Sequence, residues 1–287
     1  MPSLAQLAFS TNAFKATTYD DAVKTIADIG YAGVEVMADQ PHFTPVDLTG
    51  SERRRLAKVL RDHGLRCSNV NAFTGFFAGD TYQPTWLDEG EARRLRVRHT
   101  LASIELAAEL NARTVSLQPG GPTIGRGLER DEALERLADG LHEVLTAAQR
   151  LDVTLAVEPE PGLLIESAAE YDDFKRRHFL GEKLVKMNCD LGHLFCVGED
   201  PAAVIRREPG EIAHVHLEDI AASRVHQHLV PGDGAIDFPA IFTALDEVGY
   251  EGWVTTELYP FEQDAAGVAG RAFAHLKPML EKQEATP

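Results

Sequence analysis

The strongest constraint on the fold of this chain is a rhythm. A short β-rich run, a polar loop and a segment of helical period follow one another eight times along 287 residues. The expected strands are 7–10, 33–36, 67–71, 114–117, 154–158, 184–189, 212–216 and 253–257. The expected helices are 20–29, 51–63, 91–110, 131–151, 168–177, 201–207, 239–248 and 265–280, each with apolar residues recurring at three and four. The segment "YDDAVKTIADIGYAGVEV" reads as an acid-started helix, a glycine stop and a strand, and "FPAIFTALDEVGYEGWVTTE" repeats that design near the other end. "IGYAGVEV" and "VGYEGWVT" are therefore expected to be equivalent corners of a repeated βα unit.

Eight alternations without a long hydrophilic linker predict an α/β fold, a single (β/α)8 TIM barrel forming one domain over 1–287. A doubly wound open sheet is the rival. It is disfavoured because "FSTNAF", with no G-x-G-x-x-G, follows the first strand.

Composition enters through partners. The net charge is −17, so the average surface repels a phosphate backbone, and no nucleic acid is expected. The basic runs Arg53-Arg54-Arg55, Arg93-Arg94 and Arg176-Arg177 fall inside expected helices and read as solvated faces. Three cysteines make no disulfide framework in a chain this long. The opening "MPSLAQLAFS" lacks a basic n-region and an apolar h-region, and no apolar run approaches the roughly 18 residues of a membrane span. The expected setting is the cytoplasm, away from membranes.

In a barrel, chemistry gathers where strands end at the C-terminal mouth. Here strand five ends at Glu158, strand six at Asp190, strand seven at His216 and strand eight at Glu257. One terminal acid is commonly a helix cap. Four metal-capable side chains on consecutive strands call for another account. Three carboxylates crowded into one mouth raise each other's pKa, and a divalent cation removes that cost. Carboxylates and one imidazole suit Mn2+, Mg2+, Co2+ or Zn2+, with Mn2+ the leading choice.

Other polar groups flank this set. "EPEPG" places Glu160 two residues beyond Glu158 in a loop stiffened by prolines. His214 shares a face with His216 one layer deeper, as a core or supporting imidazole. Asp219 either orients a ligand imidazole or caps a turn. Arg224, His226 and His228, in "SRVHQHLVPGDG", either meet a polar substrate or lie in a solvated loop. The first half contributes amides and aromatics (Phe14, Asn69, Asn71, Phe73, Phe76, Phe77, Gln118), with Glu35 its one acid. Such walls suit a neutral polyhydroxyl ligand, although packing accounts equally well for many of the rings.

The segments "VEPEPG", "NCDLGHLF", "HVHLEDI", "HLVPGDGAIDF" and "TTELYPF" together resemble the sugar isomerase/epimerase superfamily with the xylose-isomerase-like TIM barrel. The resemblance implies one metal ion held by Glu158, Asp190, His216 and Glu257, with Glu158 and Glu257 as the acid/base pair. It implies substrate contacts from His193, three residues past Asp190, and from Glu160, Arg224 and His228. Members of this superfamily often form homo-oligomers. The activity implied is isomerisation or epimerisation of a sugar, cyclitol or related polyol through an enediolate. The alternative is an inosose or dehydroshikimate-type dehydratase using the same groups. A non-catalytic carbohydrate-binding subunit is a further reading, disfavoured because a mere binder has no use for paired bases.

Overall fold

A computed structural model describes residues 5–73, 82–123 and 126–281. The strands are β1 (Gln6–Ser10), β2 (Gly33–Met37), β3 (Arg66–Asn71), β4 (Thr114–Leu117), β5 (Thr154–Val157), β6 (Val185–Asp190), β7 (Ile212–Leu217) and β8 (Trp253–Thr256). They form one closed barrel in sequence order. Every neighbouring pair is parallel, and β1 closes the ring against β8 with Leu7 opposite Val254. Strands covered on both faces are buried almost throughout, and Val34, Val36, Val115, Leu155, Val185, Val215 and Val254 all lie in the core.

Helices α1 (Tyr19–Ile29), α2 (Gly50–Asp62), α3 (Gly90–Glu109), α4 (Arg130–Leu151) and α5 (Ala168–His178) lie outside the ring. They are followed by α6 (Leu191–Cys196), α7 (Pro201–Arg207), α8 (Phe238–Glu247) and α9 (Ala265–Glu281). Their starts follow local chemistry. Thr18 accepts from the Asp21 N–H ahead of α1, and Thr49 forms a reciprocal capping box with Glu52 ahead of α2.

The two similar corners are equivalent. Gly30 and Gly249 both turn the chain with positive φ, 110° and 68°. At Gly33 the chains approach closely: a Cβ there would stand 2.6 Å from the Trp253 ring. The basic runs are paired on helix surfaces, Arg55 with Asp20, Arg93 with Glu143 and Arg177 with Asp173. No described helix is long and apolar enough to cross a membrane.

Two differences from the expected elements bear on the site. β5 and β8 stop one residue early, at Val157 and Thr256, so Glu158 and Glu257 stand just beyond them. Both stay anchored, because their N–H groups donate to Leu117 O and Leu217 O at 3.0 Å. Helix α6 is new, since six residues are too few to display helical periodicity. Phe76 and Phe77 lie outside the described residues.

Candidate metal centre and substrate cavity

Glu158, Asp190, His216 and Glu257 come together at the C-terminal mouth. All four are buried, and one ligand atom of each lies within 4.8 Å of those of the others. Asp190 and His216 face each other as register partners on β6 and β7. The centre of the group is His216 Nδ1, 2.8 Å from Glu158 Oε1 and 3.9 Å from both Asp190 Oδ2 and Glu257 Oε1.

Asp190 has two roles. Its Oδ1 caps α6 by accepting the His193 N–H at 2.8 Å, while its Oδ2 is buried with no hydrogen-bond partner. A buried carboxylate oxygen is costly to leave unmatched. This orphan oxygen, and a donor set of three carboxylates and one imidazole, fit a hard or borderline divalent cation.

The electrostatics point the same way. Burial pushes the Glu158 carboxyl above its ordinary pKa, with His216 pulling against it. Burial, opposed by His216 and reinforced by Glu158, Glu35 and Asp190, pushes Glu257 well up. Burial alone would raise Asp190, but His193, His216 and His228 hold it below the ordinary range. His216 is held well above its usual value despite burial, because Glu35, Glu158 and Glu257 surround it. A divalent cation offsets this crowding of acids.

A cavity of about 470 Å³ opens above the cluster, lined by Glu158 and Glu257 and also by Glu160, His193, His226 and His228. Lys15, Phe73, Tyr82 and Tyr259 stand among its other walls. His193 Nδ1 donates to Pro159 O at 3.0 Å, leaving Nε2 toward Glu160 Oε2 at 3.2 Å. Burial, with Glu158, Asp190 and Glu257 nearby, pushes the Glu160 carboxyl well up. Burial depresses His193 to about 4, so a protonated Glu160 donating to a neutral His193 is the consistent pairing. His228 Nδ1 donates to Glu257 O at 2.9 Å, and its Nε2 lies 3.2 Å from His226 Nε2. His193, His226 and His228 thus form a second imidazole group on the cavity wall.

The structure does not bring Arg224 to this cavity. It is exposed, and its guanidinium lies over the Phe195 ring at 4.8 Å, because the chain turns there with a left-handed φ of 59°. Asp219 is resolved in favour of the turn. It accepts from the N–H groups of Ile220, Gly232, Gly234 and Ile236, and so clamps the loop that carries His226 and His228. His214 lies beneath His216, 3.4 Å from Glu35.

Two groups escaped the sequence reading. Asn12 donates to Glu257 Oε1 at 2.8 Å, alongside the expected amide of Asn71 at 3.1 Å. Glu218 is fully buried, with both carboxylate oxygens lacking a hydrogen-bond partner and Oε1 3.8 Å from His228 Nε2. Gly192 makes room for it, since a Cβ there would stand 1.7 Å from that oxygen. The signal for Glu218 was present: residues 214, 216 and 218 share one face by strand alternation.

A closed parallel barrel whose last four strands deliver acids and an imidazole to one mouth defines a TIM-barrel enzyme. The chain belongs to the xylose isomerase-like TIM barrel family, whose model matches residues 23–279. It is 28% identical over 278 residues to an inosose dehydratase of Clostridium beijerinckii, covering 88% of this chain and 85% of that one. A Geobacillus thermodenitrificans inosose dehydratase is 27% identical, with 87% and 84% covered. Solved structures share the fold. The 3-keto-D-glucoside 4-epimerase of E. coli gives a TM-score of 0.78 at 19% identity, covering 96% of this chain and 99% of that one. The zinc-bound IolI protein gives 0.78 at 17% identity, covering 98% and 100%.

Proposed function

We propose that this protein is a metal-dependent isomerase or epimerase of a sugar, cyclitol or related polyol, with Glu158 and Glu257 as its acid/base pair. The observation that carries the reading is the convergence of these two buried glutamates with Asp190 and His216 at the floor of the cavity. All four side chains would hold the cation, with Mn2+ the first choice. A divalent cation held there would supply Lewis acidity toward a substrate carbonyl.

The chain supplies the rest. Glu158 and Glu257 come from β5 and β8, three positions apart round the ring, and so approach the cavity from different sides. Both carboxylates line the cavity, where each can reach a proton alpha to a carbonyl of a bound substrate. One takes the proton and the other returns one. Return to the same carbon from the opposite side epimerises, whereas return to the neighbouring carbon isomerises. Glu160, His193 and His228 line the cavity as contacts for substrate hydroxyls. The substrate is a small polyhydroxyl molecule, and the setting is the cytoplasm.

A second reading, dehydration of an inosose-like substrate, is favoured by the names of the relatives. It uses the same proton abstraction, followed by loss of a β-hydroxyl. The deciding experiment incubates the protein and Mn2+ in deuterated water with ketoses, inososes and 3-keto-glycosides. Solvent deuterium at one substrate carbon, abolished by Glu158→Gln, is the expected result. An ultraviolet-absorbing enone product would move the assignment to the dehydratase. Retention of full exchange by Glu158→Gln, or failure of the wild type to bind any divalent ion, would overturn the reading.

A further inference from the structure

Glu35 lies on β2, two strands round the ring from β8 and four from β6, and its carboxylate is completely buried. A buried carboxylate must be matched by donors. His216 Nε2 stands 2.6 Å from Oε2, and Asn69 Nδ2 donates to the same oxygen at 2.9 Å. Asn71 Nδ2 donates to Oε1 at 3.2 Å, and His214 Nε2 lies 3.4 Å from Oε2.

Two of these contacts continue into the site. An ionised carboxylate only accepts, so the His216 nitrogen facing Glu35 carries hydrogen, and Nδ1 is the nitrogen turned toward Glu158, Asp190 and Glu257. Asn71 Nδ2 has two hydrogens: one reaches Glu35 and the other reaches Glu257 Oε1 at 3.1 Å. Its amide therefore cannot turn without losing both acceptors.

We propose that Glu35 is a positioning residue for the metal centre, selecting the His216 tautomer and, through Asn71, setting the carboxylate of Glu257. The proposal rests on the reading that the cluster holds a divalent cation. It adds that two of the four ligands are aimed from β2 by one carboxylate. A group that only packs the core would leave the tautomer and the affinity unchanged when replaced by an isostere. Glu35→Gln retains the shape but puts an amide N–H2 in place of one carboxylate oxygen, against a neighbour that donates, so one contact must break.

The test is Zn2+ binding by competition with a chelating dye, together with 15N spectra of the histidine rings in the Zn2+-loaded protein. Glu35→Gln is expected to weaken Zn2+ about tenfold and Glu35→Ala about a hundredfold, within the range for partners that orient a ligand imidazole. The Glu35→Ala spectrum should also lose the single Nε2–H form of His216. If both variants bind within twofold of wild type with unchanged His216 shifts, the proposal is overturned whatever their melting temperatures. Should Glu35→Ala not fold, the isosteric Glu35→Gln decides. Failure of the wild type itself to bind Zn2+ brings down the metal site, a result readable without the variants.

Discussion

The two halves of this barrel do different work at one mouth. β5 to β8 bring Glu158, Asp190, His216 and Glu257, side chains that can take a proton or hold a cation. β1 to β3 and the turn after β1 bring Asn12, Asn69, Asn71 and Glu35, which mostly donate to or accept from the first group. On the proposed function, the second half carries the reactive atoms and the first half holds them by hydrogen bonds. Glu257 shows the division most clearly: its Oε1 takes amide hydrogen bonds from Asn12 and Asn71, both from the opposite half.

The strongest way to break this comparison is to remove a reactive group. Glu257→Gln is expected to lower solvent-proton exchange into substrate by about 10²- to 10⁴-fold, read by NMR in deuterated water. If Asn71→Ala did as much damage, the two halves would not be separable in role. Asn71→Ala is instead expected to cost about 1–2 kcal/mol, roughly fivefold to thirtyfold in the same rate, by leaving buried acceptors unmatched. Steady-state kinetics would place the loss mainly in kcat.

A pH experiment isolates the scaffold half. His99, on α3, is buried and lies 2.7 Å from Ala38 O just beyond β2. Burial and then the Arg96 charge depress its pKa to about 3. The unfolded chain takes up this proton below about pH 6.5 and the folded chain does not. Stability should therefore fall as pH drops from about 6.5 toward 3, and thermal melting across that range is expected to be less steep for His99→Gln. The smallest effect is expected at Arg224→Ala. Lying over Phe195 and outside the cavity, it should change KM by less than about twofold. A larger rise in KM would return Arg224 to the substrate.

Much of the fold was legible because its signals are local. The alternation of periods marked eight strands, and glycine stops marked corners that the structure places alike at Gly30 and Gly249. The four cluster residues were legible for the same reason, since a strand end is a local event and a barrel places all such ends on one side. At the strand-six acid of "NCDLGHLF", cap and site are not alternatives. One oxygen of Asp190 caps α6 and the other faces the cluster.

What the sequence alone determined was the barrel and the list of candidate side chains, through residue periodicity and position at strand ends. Only the tertiary structure decided how those side chains are held. Glu35 and His216 are 181 residues apart, and Asn12 and Glu257 are 245 apart. No local pattern encodes those meetings, nor the turn that carries Arg224 away while Asp219 gathers the loop beside it. They follow from closing the ring, which sets β1 beside β8, turns inward side chains of β2 and β3 toward those of β7 and β8, and forces each buried polar atom to find its partner within the barrel.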